Sequence, residues 1–113
     1  MIRLLVLDVD GTMTDGGVYY DATGNELKKF AIKDGAGLVL AHAAGIEVMI
    51  LTGRECEAVR RRAADLHVEH LYQNVSDKAA FLRAFLAQHS LQREETAYCG
   101  DDLNDLAAMA LCG

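Results

Sequence analysis

The chain has 113 residues of even composition, 51% of them hydrophobic, so one domain with a real core is expected over 1–113. Neither a multi-domain nor a disordered protein fits. Eleven Lys and Arg against seventeen Asp and Glu leave a net charge of −6, a field that repels nucleic acid and anionic membrane surfaces. Cys56, Cys99 and Cys112 lack metal-type spacing, no charged-then-apolar leader precedes Ile2, and no apolar run approaches the ~20 residues of a membrane span. A cytoplasmic protein with reduced thiols is therefore expected.

Ile2–Leu7 is a short β-rich apolar run stopping at acidic and glycine residues, as a buried central strand does at a polar edge. Gly17–Tyr20 and Leu27–Phe30 flank the turn residues Asp21-Ala22-Thr23-Gly24-Asn25 and predict a β-hairpin. Gly37–Ala44 is apolar at helical spacing and stops at Gly45. A strand over Glu47–Leu51 follows. Arg54–Leu66 predicts a helix with Val59 and Ala63 on its inner side and the Arg60-Arg61-Arg62 triplet as a solvated face. A weak strand at Glu69–Tyr72 precedes a helix over Asp77–Gln88, N-capped by Ser76, with Phe81, Leu82 and Phe85 on one side. Thr96–Cys99 is the fourth core strand and Asp102–Leu111 the last helix. Strands alternating with helices at this rhythm call for a parallel sheet covered on both faces.

In an open parallel sheet, ligands bind outside the carboxyl ends of the strands. The first strand ends at Asp8-Val9-Asp10-Gly11-Thr12, the second at Thr52-Gly53-Arg54 and the fourth at Gly100-Asp101-Asp102-Leu103-Asn104-Asp105, while Lys78 lies in the first turn of the helix after the third. Each residue alone has a plain structural use, as a turn former, a helix cap or a solvated lysine. Jointly, Asp8, Asp10, Asp101 and Asp102 would crowd four carboxylates into one region, which raises a pKa or requires a cation. Oxygen ligands without His or Cys nearby point to a hard divalent ion, magnesium where phosphate is the other partner. An EF-hand loop starting at Asp8 would need Gly and Glu where this chain has Met13 and Tyr19, so calcium of that type is excluded.

These motifs in this order resemble the four motifs of the haloacid dehalogenase (HAD) superfamily of phosphotransferases: Asp-Val-Asp-Gly-Thr, Thr-Gly-Arg, a lysine ahead of the last strand, and Gly-Asp-Asp-x-x-Asp. More narrowly, Thr14-Asp15-Gly16-Gly17, Lys29-Phe30 and Lys33-Asp34-Gly35-Ala36-Gly37 are similar to the 3-deoxy-D-manno-octulosonate 8-phosphate phosphatase subfamily, and the likeness runs through essentially the whole chain. The resemblance implies a HAD-like Rossmannoid α/β fold, a parallel sheet flanked by helices. A β-hairpin at about residues 16–31 stands in place of a cap domain, for which the interval between Asp10 and Thr52 leaves no room. Members of the subfamily continue beyond the position of Gly113, so the C-terminal part of the fold is expected to be missing here.

The resemblance also assigns roles. Asp8 would be the nucleophile that forms an aspartyl-phosphate, and Asp10 the general acid and then base. Thr52 and Lys78 would hold the phosphoryl oxygens. Mg2+ would sit on Asp8, the Asp10 backbone carbonyl and Asp101, with Asp102 and Thr12 supporting them. Asp105 and Asn104 are expected to cap and orient the last helix. Arg54, with Gly53 and Lys33, would bind the substrate, a small phosphorylated sugar acid. The preferred one is 3-deoxy-D-manno-octulosonate 8-phosphate of lipopolysaccharide biosynthesis, and the alternative is a deoxynonulosonate or N-acylneuraminate 9-phosphate. The subfamily is homotetrameric, and the apolar and aromatic Val18, Tyr19, Tyr20 and Phe30 fit burial of the hairpin against a partner. An inactive truncated assembly module is a further alternative. A receiver-type signalling domain is disfavoured, because Gln73-Asn74-Val75 stands where its phosphoaccepting Asp would be.

Overall fold

Four parallel strands, each followed by a helix or a loop into one, build the molecule seen in the computed structural model, which describes residues 1–17, 19, 20, 22–24, 26–100 and 103–113, with the backbone alone at Glu26, Lys33, Leu103 and Asn104. The strands are β1 (Leu4–Leu7), β4 (Glu47–Leu51), β5 (His70–Tyr72) and β6 (Thr96–Cys99), in sheet order β5-β4-β1-β6. The apolar run after Met1 is thus the inner strand it was predicted to be, with Leu4 opposite Glu47 on one side and Thr96 on the other. A separate antiparallel ribbon, β2 (Tyr19–Tyr20) and β3 (Glu26–Leu27), is the predicted hairpin, shorter than its sequence pattern and extended by a bridge between Thr14 and Phe30.

Two apolar clusters cover the sheet. On one face Leu4, Val6, Met49 and Leu51 meet Leu82, Phe85 and Leu86 of α3 (Lys78–Gln88) and Ala108 of α4 (Leu103–Met109). On the other, Ile50 packs with Val9, Met13 and Cys56 and with Val59 and Ala63 of α2 (Glu57–Asp65), so the predicted inner side of that helix is its buried side. Each fully buried aliphatic side chain contributes about 1.5–3 kcal/mol.

Three predicted helix starts shift. The helix placed from Gly37 is α1, Ile32–Ala43, and starts a turn earlier, taking in Gly35, because packing of the buried Leu38 rather than intrinsic propensity holds the helix. The cap of α3 is Asp77 rather than Ser76, its carboxylate accepting from the Ala80 N–H at 3.0 Å. The Arg54 helix begins only at Glu57, because residues 53–56 form a loop tied to the segment just after β5: Asn74 N–H donates to the Arg54 carbonyl, and the Cys56 N–H to the Gln73 side chain at 2.8 Å. Among the described residues no helix is long and apolar enough to cross a membrane.

Candidate active site

The carboxyl ends of β1, β4 and β6 lie side by side, because β1 pairs with both neighbours in register, Leu7 opposite Ile50 and Cys99. Asp8 follows at once, its N–H donating to the Cys99 carbonyl at 2.9 Å, so the sheet holds the Asp8 backbone in line with the strand. Beyond it the chain curls: the N–H groups of Thr12, Met13 and Thr14 all point at the Val9 carbonyl, and Gly11, at φ +81, takes a left-handed turn that other residues resist.

Lys78 reaches the rim from the first turn of α3. Its ammonium donates to Asp8 Oδ1 and to Asp105 Oδ1, both at 2.8 Å, with all three side chains buried. Burial pushes the Asp8 carboxyl above its ordinary value, while Lys78 works against the rise and Asp105 adds to it. For Lys78 burial alone would lower the pKa, but its bonds to Asp105 and Asp8 outweigh that and hold it raised. The cluster is thus a buried cation shared by two carboxylates.

Asp105, expected to cap and orient the last helix, lies in the first turn of α4 and bonds a distant cation. It is fully buried within α4 and accepts from Lys78 and from the Tyr98 hydroxyl, the latter at 2.5 Å; burial and this carboxylate push the Tyr98 phenol far up. Neither Tyr98 nor this role of Asp105 was drawn from the sequence. The only available signal was Lys78 itself, since a lysine brought into an acidic cluster must be matched by charge.

Thr52 is buried at the end of β4, where its N–H donates to the Tyr72 carbonyl and its own carbonyl accepts from Val75. The Arg54 N–H turns back to Thr52 Oγ1, while Arg54 and Gly53 are exposed. Asp10 does not join the Lys78 cluster. Its Oδ1 accepts instead from Lys28, just past β3, at 2.5 Å, a partner that the sequence did not single out. Thr12 lines cavities of about 370 Å³ and 230 Å³ beside the rim; the larger is walled by Leu5, Leu7, Leu38 and Cys99. Asp101, Asp102 and the Lys33 side chain lie outside the described residues.

Among the described residues, no group of three or more His, Cys, Asp or Glu could hold a metal ion. The donors that do stand at the rim fit a hard cation: Asp8 and Asp10 offer oxygen, and Cys99 turns into the apolar cavity with Leu5 and Leu7. Of the hairpin residues expected to meet a partner, Tyr19 and Tyr20 are exposed, as is Leu27, whereas Phe30 packs within its own chain against the second core cluster and under Arg62; Val18 lies outside the described residues.

No protein-family model matches the chain. The fold is that of the HAD-like hydrolases: a Legionella pneumophila chain assigned to the HAD superfamily, subfamily III A, superposes with a TM-score of 0.93 at 40% identity, covering 99% of this chain and 62% of that one. Within that class the chain is homologous to the 3-deoxy-D-manno-octulosonate 8-phosphate phosphatases. It is 45% identical over 112 residues to the one named KdsC from Yersinia pestis, covering 99% of this chain and 60% of the relative. A Moraxella catarrhalis phosphatase of the same name, solved in complex with magnesium ion, phosphate ion and KDO, matches with a TM-score of 0.94 at 38% identity, over 99% of this chain and 64% of that one. The chain thus spans about three-fifths of the length of the curated relatives it matches.

Proposed function

We propose that the protein is a magnesium-dependent phosphomonoesterase for a sugar-acid phosphate, preferentially 3-deoxy-D-manno-octulosonate 8-phosphate, acting through an aspartyl-phosphate on Asp8. The observation that carries this reading is the buried carboxylate of Asp8 at the end of the inner strand, sharing Lys78 with Asp105 at 2.8 Å. The complex of the Moraxella catarrhalis relative with magnesium, phosphate and KDO supports the substrate class.

In the first half-reaction a carboxylate oxygen of Asp8 bonds to phosphorus, the ester P–O bond breaks, and the departing alkoxide takes the proton of the Asp10 carboxyl. In the second, Asp10 takes a proton from water, the water oxygen bonds to phosphorus, and the bond to Asp8 breaks to release inorganic phosphate. Lys78 and Thr52 hold the phosphoryl oxygens, since a metaphosphate-like transition state needs positioning and positive charge above all. Asp8, the Asp10 carbonyl and Asp101 would hold the magnesium ion, with Asp102 and Thr12 behind them; when bound it supplies positive charge to the phosphoryl oxygens. Arg54, Gly53 and Lys33 are assigned to the sugar acid, whose carboxylate suits the planar fork of a guanidinium.

The exposed Tyr19, Tyr20 and Leu27 support association through the hairpin, for which we propose a homotetramer, and three free cysteines fit the reducing cytoplasm. A screen of phosphate release from sugar 8- and 9-phosphates, with and without magnesium, tests the activity. Release from the octulosonate ester, lost on chelation and in Asp8→Asn, is the expected result. Preference for a 9-phosphate reassigns the sugar, and no release from any ester under any condition overturns the reading. Light scattering at high protein concentration tests the tetramer.

A further inference from the structure

The hairpin is mostly exposed, yet one of its charged side chains is not. Just past β3 burial alternates, Lys28 and Phe30 being half-buried while Leu27 and Lys29 are exposed, so Lys28 and Phe30 share one side and Lys29 takes the other. Phe30 is pinned by its bridge to Thr14 and by the second core cluster, which brings Lys28 over the loop after β1. The Lys28 side chain is 1% exposed, and its ammonium donates to Asp10 Oδ1 at 2.5 Å, whereas Asp10 remains 32% exposed. A lysine is buried this deeply only when matched by charge and hydrogen bonds. The cation thus lies behind the carboxyl group and occupies Oδ1, which leaves Oδ2 for the proton that the first half-reaction transfers.

We propose that Lys28 is a positioning residue for the reaction: from the hairpin it holds the Asp10 carboxyl where that group serves the leaving oxygen. This inference rests on the proposed phosphatase reading, and it gives the hairpin a role within its own subunit. The two aspartates that do different work have different lysines, Lys78 for Asp8 and Lys28 for Asp10. Lys28 is too buried to meet substrate directly, so it acts through Asp10.

The test compares two esters in the 113-residue chain with magnesium, because kcat/KM covers only the steps through release of the alcohol. A sugar 8-phosphate leaves as an alkoxide that needs a proton, whereas p-nitrophenyl phosphate leaves as a stable phenolate that does not. In Lys28→Met, kcat/KM for the sugar ester is expected to fall about tenfold or more while that for the nitrophenyl ester stays within about twofold; Lys28→Arg, which keeps a cation, restores most of the loss. Equal losses on both esters, or no loss on either, overturn the positioning role. A parent chain inert towards both esters defeats the phosphatase reading itself, and this inference with it.

Discussion

Gly100 lacks a side chain at the place where Asp105 folds back over it: a Cβ built on Gly100 falls 2.5 Å from Asp105 Cγ and 2.9 Å from its Cβ. Asp105 is fully buried and bonded to Lys78 and Tyr98, so it has no room to swing aside. The glycine that opens the last motif thus exists to let a carboxylate from the following helix reach Lys78.

Gly100→Ala is accordingly expected to displace Asp105, loosen Lys78 and lower phosphate release by about tenfold or more, with a fall in stability of about 1–3 kcal/mol from the overpacking. Denaturant titration alongside the phosphate assay checks both. An alanine variant as stable and active as the parent would show that Asp105 does not need that space.

Lys78→Met removes the cation shared by two buried carboxylates, and phosphate release is expected to be lost. Stability at neutral pH should fall by about 3 kcal/mol, since removing one partner of a buried pair strands the other. The sign with pH follows. Lys78 has a raised pKa in the folded state, so its contribution is fully present below its ordinary value of 10.5 and is lost only as pH rises through the folded one. In the variant the Asp8 carboxyl, already pushed up by burial, takes up a proton as pH falls, so the deficit shrinks from the neutral to the acidic range. A deficit equal at neutral and acidic pH refutes the charge argument.

At the opposite edge of the sheet, Glu69 Oε2 accepts from the Val48 N–H at 2.8 Å, and Oε1 lies 2.8 Å from His42 Nε2. Burial works against this carboxylate, but the Val48 and Glu69 N–H groups and His42 outweigh it and hold its pKa below the ordinary 4.5. A depressed carboxyl pKa contributes stability above the unfolded value and loses it as pH falls through the folded one. Glu69→Gln is therefore expected to lower the Tm at neutral pH and to differ less and less from the parent below about pH 4. Thermal melts across that range decide the matter.

Leu82 of α3 is fully buried against Leu4, Val6 and Met49. Leu82→Ala should cost about 2–5 kcal/mol and move the denaturant midpoint without altering the slope. A loss under 1 kcal/mol would mean that α3 collapses onto the space, which the surrounding strands oppose.

The parallel sheet, its inner strand and the rim were legible in the sequence, because buried strands ending in Asp, Thr and Gly carry their own signal: Leu4–Leu7, Glu47–Leu51 and Thr96–Cys99 lie where their apolar runs do. Lys78 was legible only with the motifs beside it. The partnership of Lys28 with Asp10 was not, because it depends on how the hairpin folds back, and nothing in Leu27-Lys28-Lys29-Phe30 says which lysine turns inward until Phe30 is pinned to Thr14. Asp105 reads in the sequence as a helix cap, because position alone cannot separate capping from a bond to a distant cation.

The pairing of β1 with β6 joins Leu4 to Thr96 across almost the whole chain. Such long-range parallel pairing is slow to form, because loop closure must be met before the contact rewards it. Until residues 96–99 have been synthesised, the β6 flank of the inner strand has no partner, and its apolar run is a place where a chaperone would find purchase.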